Sequence, residues 1–297
     1  TAADVAAVGA ATVDGAEPHV DQRIPTLEQV LRLFTGSRAA VLIDMDSGRY
    51  AAAALDAVQQ AVAAGDLRAT QVIWCGALDA GADVVEIDVK TTADGVSVVL
   101  HDDSLSRLWE VDRDIRELTA ADVAAVGAAT VDGAEPQVDQ RIPTFEQVLR
   151  LFTGGRAAVL IDMDSGRYAA AARQVVQQAV TAGDLRATQV IWCGDLDGMR
   201  EVRAADADAR IFLSWGEEAR LGPPSDDLVE TLRPEAFNPH WAFVEQGGRA
   251  WAREHDLALS CWTVDDPGDM TRLAEGGVDA MISNRIGLLL EVVRRDR

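Results

Sequence analysis

Residues 1–79 and 119–197 are one stretch written twice, and any fold must accommodate both copies. At a constant offset of 118 they differ at eight positions: His19/Gln137, Leu27/Phe145, Ser37/Gly155, Leu55/Arg173, Asp56/Gln174, Ala57/Val175, Ala63/Thr181 and Ala77/Asp195. Two units of this length make neither a solenoid nor a propeller, which need three or more stacked units to bury a continuous core. The pattern predicts a single domain with a segment duplicated into its front end. Residues 1–79 are then the duplicated segment, supplying or replacing a first βα unit, and 80–297 form the body.

Short apolar runs alternate with alanine-rich helical patterns. Strands are expected at 40–45, 71–75, 84–89, 96–101, 158–163, 189–193, 210–215, 235–241, 258–264 and 280–283. Helices are expected at 48–64, 166–182, 196–205, 225–232, 245–255, 267–276 and 285–296. Continuous apolar strands separated by helices indicate a parallel sheet buried on both faces. Eight such units favour an α/β fold of the (β/α)8 barrel type, imperfect at its N-terminal strand. No glycine fingerprint for a dinucleotide or a P-loop is present, which weakens the open-sheet alternative. The run 96–101 is an exception. It follows 84–89 after a turn containing Asp94-Gly95, too short for a parallel crossover, so a β-hairpin excursion around 90–103 is expected. That places His101 at the C-terminal ends of the strands, where barrels do their chemistry.

The formal net charge of −22 argues against a nucleic-acid partner, whose phosphates such a surface repels. Lys90 is the only lysine among 27 basic residues, a bias that suits a GC-rich genome, and the acidity also suits a salt-rich cytoplasm. No run of eighteen apolar residues appears, so no membrane span is expected. The chain starts at Thr1 with no basic segment before an apolar one, which predicts no secretory signal and a cytoplasmic location. Cys75, Cys193 and Cys261 each lie in apolar runs and are expected to be small buried hydrophobes.

In the run VVEIDV, Glu86 and Asp88 project to one face and Val85, Ile87 and Val89 to the other. Two carboxylates on one face of an apolar strand are expensive unless something positive meets them. The expected partner is Mg²⁺ or Ca²⁺; the alternative is an arginine. Asp162 ends the run AVLIDM, and Asp44 is its twin in the first copy; each is either a further ligand or a helix N-cap. His101, next to Asp102, is a candidate general acid or base. His19 is expected in a solvated loop, and His240 and His255 in structural roles.

The run GADVVEIDVKTTADGVSVVLHDDSLSR (81–107) resembles the glycerophosphodiester phosphodiesterase family, almost position for position. The segments IRELTAADVAAV, RIPTFEQVL, SCWTVDDPGDM and GGVDAMISN are similar to later blocks of that family, so the likeness spans 79–297. It implies a barrel that hydrolyses a small glycerophosphodiester to an alcohol and glycerol phosphate with one divalent metal. It also implies that Glu86 and Asp88 are metal ligands, His101 one of two acid/base histidines, and Trp262 a neighbour of the substrate. Asp162 stands where the family has a glutamate, and Asp164 where a lysine often follows. The family opens with His-Arg-Gly and then Pro-Glu-Asn-Thr, and this chain contains neither. The duplicated segment stands in their place. One histidine cannot serve as acid and base on opposite sides of phosphorus in one step, and loss of either role costs about 10²–10⁴ in rate. Impaired activity is therefore expected. The competing expectation is a silent barrel whose spare copy mediates self-association into a homo-oligomer.

Residues 80–297 offer seven parallel strands. An eighth is expected from 40–45 with 48–64 as its helix, because only eight residues separate 71–75 from 84–89 and a parallel crossover needs a dozen or more. In that arrangement Asp44 would face the mouth.

Overall fold

A computed structural model describes Leu78 and residues 81–109, 111–126, 142–216 and 222–295. The chain divides into two units, Thr1–Asp79 and Ala80–Arg297, and the second is described below. The strand and helix expected at 40–45 and 48–64, the run 71–75, Asp44, His19 and Cys75 lie outside the described residues.

Among the described residues seven strands run parallel: β1 (Val84–Thr91), β5 (Ala158–Met163), β6 (Val190–Gly194), β7 (Arg210–Trp215), β8 (Ala236–Pro239), β9 (Ala258–Cys261) and β10 (Ala280–Met281). Each stands beside the next in chain order, as a barrel sheet requires. They match the seven sequence-derived strands, with the last three shorter than expected. Strand β8 stops at Pro239 because His240 caps a helical turn, its Nδ1 accepting from the Ala242 amide at 3.3 Å.

Inward- and outward-facing residues alternate along the strands. Leu160, Ile191 and Cys193 form one buried cluster with Val84, Ala158, Phe212 and Ile282 packed against it, all at one parity of their strands. The opposite parity is covered by helices, as where Phe237 meets Trp251 with ring centres 4.6 Å apart. The helix Ala169–Ala182 buries Ala169, Ala172, Val176 and Ala179, a single stripe at helical spacing, and ends at Gly183 with φ 81°. Pro267–Glu275 starts on Asp266, whose carboxylate accepts from the Gly268 and Asp269 amides.

The hairpin excursion forms as the turn chemistry predicts. Strand β2 (Ser97–Val99) pairs antiparallel with Val89–Thr91 across a turn in which Gly95 takes φ 85°. The turn is sewn to the helix Ala120–Ala125: Ala93 donates to the Leu118 carbonyl at 2.8 Å, and Asp94 accepts from the Ala120 amide at 2.9 Å. Beneath the excursion lies a second small core of Val98, Leu100, Leu105, Ile115, Leu118, Val123 and Ile142. The pair β3 (Ser104–Leu105) and β4 (Val111–Asp114), absent from the sequence reading, closes it. This core shares no residue with the barrel-interior cluster, so the excursion is expected to open as a unit of its own. Leu105→Ala, at a fully buried position, should cost about 2–5 kcal/mol. Amide exchange should speed up across 97–118 and not in β5 to β9; uniform acceleration would show that the two cores melt together.

Candidate active site

Three carboxylates converge inside the barrel. Glu86 and Asp88 share the inward face of β1, and the register pairs Asp88 with Asp162 on β5. One ligand atom from each of the three lies within 4.8 Å of the others. The N-cap alternative for Asp162 is excluded, because it lies within β5 and Ser165 stands at the N-cap of the next turn. Among the described residues no arginine pairs with Glu86 or Asp88, so the salt-bridge alternative finds no partner there.

Burial and mutual repulsion show in the proton affinities. Burial, with the charges of Asp88 and Asp162 added, pushes Glu86 from an ordinary 4.5 to about 8. Burial and the Asp88 charge raise Asp162 to about 6, although a hydrogen bond with Cys193 opposes the rise. Asp88 is raised by burial and pulled back by His101 and Lys90. Hard oxygen donors at this spacing fit a divalent cation of the Mg²⁺ or Ca²⁺ type. Such an ion would relieve the repulsion that now holds protons on the cluster.

His101 sits on the same rim. The Leu100 amide donates to the Asp88 carbonyl at 3.0 Å, which fixes the chain beside the cluster one residue before the histidine. Its ring is 75% exposed, and Nδ1 lies 2.8 Å from Asp102 Oδ1. Arg107 grips Asp102 from the other side, at 2.6 Å from Nε and 3.1 Å from Nη2. Those bonds hold Asp102 down at about 2, so it is ionised and can only accept. The Nδ1 therefore carries the hydrogen, which leaves Nε2 of the exposed ring as the nitrogen not engaged with Asp102. The bond to Asp102, then the charge of Asp88, raises the His101 pKa.

Beside the cluster opens a groove of about 520 Å³, lined among others by Asp162, Asp195, Arg200, Ser214 and Trp262. The Trp262 indole is held by its Nε1, which donates to the Asn238 carbonyl at 2.9 Å, and by His240 standing edge-on at 5.5 Å. Asp195 caps the helix Leu196–Ala205, accepting from the Asp197 and Gly198 amides at 3.1 Å. Gly194, at φ 105°, is required here: a Cβ would collide with the Met163 carbonyl and the Asp162 carboxylate. A larger cavity, about 610 Å³, lies between the helices Ala169–Ala182 and Leu196–Ala205 and contains none of these groups. His255 stacks on Trp251 at 4.2 Å and bonds Asp226, and Cys193 and Cys261 are buried free thiols.

The Asp102–Arg107 pair, the Lys90 contacts with Asp103 and Asp164, and a groove lined by Asp195, Arg200 and Ser214 were not expected from sequence. Only Lys90 carried a usable signal, its parity with Glu86 and Asp88. Among the described residues no helix is long and apolar enough to cross a membrane.

Glu86 and Asp162 bind protons more tightly folded than unfolded. Between about pH 4 and pH 8 the metal-free fold therefore holds extra protons and loses stability as pH rises. A bound cation competes with those protons. Calcium should raise Tm more at pH 8 than at pH 5.5, read by calorimetry. An equal rise at both would mean that the ion binds elsewhere.

Residues 74–288 match the sequence profile of the Glycerophosphoryl diester phosphodiesterase family. A glycerophosphodiester phosphodiesterase from Caldanaerobacter subterraneus subsp. tengcongensis is 26% identical over 225 residues, covering 74% of this chain and 89% of that protein. One from Bacillus subtilis is 24% identical, covering 68% and 74%. Among solved structures, an Oleispira antarctica phosphodiesterase in complex with the product sn-glycerol-3-phosphate superposes with a TM-score of 0.63 at 18% identity, covering 73% of this chain and 87% of the other. A glycerophosphodiester phosphodiesterase from Thermotoga maritima gives 0.55 at 23%, covering 73% and 88%. At these identities the structural likeness is one of fold.

Proposed function

The chain belongs to the glycerophosphoryl diester phosphodiesterase family, and from that premise we propose that it hydrolyses glycerophosphodiesters slowly and only with a divalent metal. The observation that carries the reading is the meeting of Glu86, Asp88 and Asp162 with His101 on one rim. The family match supports the reaction class, and the glycerol phosphate held by the Oleispira antarctica phosphodiesterase supports a small product of that kind. Glu86, Asp88 and Asp162 would hold Mg²⁺ or Ca²⁺; when bound, such an ion neutralises phosphoryl oxygens and lowers the barrier as a Lewis acid.

The remaining work falls to the side chains. Asp102, locked by Arg107, keeps the hydrogen on His101 Nδ1 and supports the imidazolium when it forms. With its pKa raised, His101 is biased toward the protonated form, which suits donation from Nε2 to the oxygen of the departing alcohol. Trp262 walls the groove beside the cluster and would keep bulk water from one side of the substrate. No His-Arg-Gly occurs in the 297 residues, so the histidine and the phosphate-gripping arginine that this motif would supply have no counterpart at that motif in this sequence. That is the reason for slow turnover. A cytoplasmic setting belongs to the same proposal.

The test is release of choline from glycerophosphocholine with Mg²⁺ or Ca²⁺. Slow turnover is expected, lost with a chelator and reduced about 10²-fold or more in His101→Ala. Complete silence at high protein concentration would favour the non-enzymatic barrel, with self-association through the duplicated segment as its function.

A further inference from the structure

We infer that Lys90 is a positioning residue that ties the His101 turn to the carboxylate cluster. Its functional meaning rests on the metal reading above. Lys90 follows Glu86 and Asp88 on the inward face of β1, one pleat further along. The side chain is 2% exposed, although lysine is almost never buried without a reason. The ammonium pairs with Asp103 Oδ1 at 3.0 Å and with Asp164, and stands 5.8 Å from the centre of the Tyr168 ring.

Those partners belong to different segments. Asp103 lies two residues beyond His101, on the return of the hairpin, where its carbonyl also accepts from the Ile115 amide at 2.8 Å. Asp164 lies two residues beyond Asp162, just past the end of β5. One cation therefore joins the strand bearing Glu86 and Asp88, the turn bearing His101 and the strand end bearing Asp162. An ammonium suits the task because its three donors can meet separate acceptors in different directions. Both aspartates are more than half exposed, at 55% and 54%, so they stay solvated if the ammonium is removed. Lys90→Met should accordingly fold, and the loss should be one of placement.

The test uses Mn²⁺ as a paramagnetic probe on the full chain labelled with ¹³C-histidine, the His101 signal being assigned by its disappearance in His101→Gln. At saturating Mn²⁺, Lys90→Met and Asp103→Asn should each cut the relaxation enhancement at His101 by about twofold or more, because a turn without its tie sits on the order of 1 Å looser. Asp164→Asn keeps the Lys90–Asp103 pair and should leave the enhancement unchanged. Mn²⁺ affinity should shift in opposite directions in the first two variants, tighter when a nearby positive charge is removed and weaker when a negative one is. A shared loss at His101 therefore cannot come from altered occupancy. Unchanged enhancement in both variants, with Mn²⁺ bound, overturns the role of Lys90 and leaves the metal reading standing. Failure of the parent chain to bind Mn²⁺ overturns both. Should Lys90→Met fail to fold, Asp103→Asn, at an exposed side chain, decides the matter.

Discussion

Three carboxylates forced together in a half-buried barrel mouth are the constraint that orders the site. Two full charges 4 Å apart repel by about 4 kcal/mol at an effective dielectric of about 20. Glu86, Asp88 and Asp162 stand close enough for repulsion on that scale, and burial first, with that repulsion added, raises the proton affinity of Glu86 and Asp162. A sheet does not bring such groups together through any gain of its own. Their meeting follows from strand alternation in β1 and from the register that sets Asp88 beside Asp162. The same backbone that builds the core thus stores the repulsion that a divalent cation would release.

Neighbouring residues keep the cluster accessible above an apolar interior. Leu160, Ile191 and Phe212, on the inward parity of β5, β6 and β7, pack into one apolar cluster beneath the carboxylates. Gly194 removes the side chain that would otherwise strike the Asp162 carboxylate. The hairpin excursion, with its own small core, brings His101 to the rim without disturbing the parallel sheet. Rigidity and exposure are thereby divided. The cluster stands on barrel strands, while the His101 ring rides on the hairpin arm, which is bonded back at Leu100 to Asp88 and at Asp103 to Lys90.

What the sequence disclosed followed from short-range periodicity. The alternation in VVEIDV set Glu86 and Asp88 on one face, and Asp94-Gly95 announced the antiparallel return that carries His101. The seven strands of 80–297 were readable because each is a short apolar run between helical patterns. Contacts across long separations were not readable. Lys90 meets Asp164 across 74 positions, and only the register of β1 on β5 brings them together. The choice between ligand and cap at Asp162 was open because one aspartate at a strand end serves either purpose. Boundaries slipped where a cap intervened, as at His240, or where Gly247, at φ 127°, interrupts the turn before Arg249–Glu254. The place of 40–45 beside β1 lies outside the described residues, and the two near-identical copies offer no sequence pattern that ranks one above the other.

The central claim is that Glu86, Asp88 and Asp162 bind one divalent cation. Anomalous diffraction from crystals soaked in Mn²⁺ tests it most directly. The account predicts a single strong peak within about 2.0–2.6 Å of an oxygen from each of the three carboxylates. A map without that peak, or a side-chain cation filling the space between them, would contradict it.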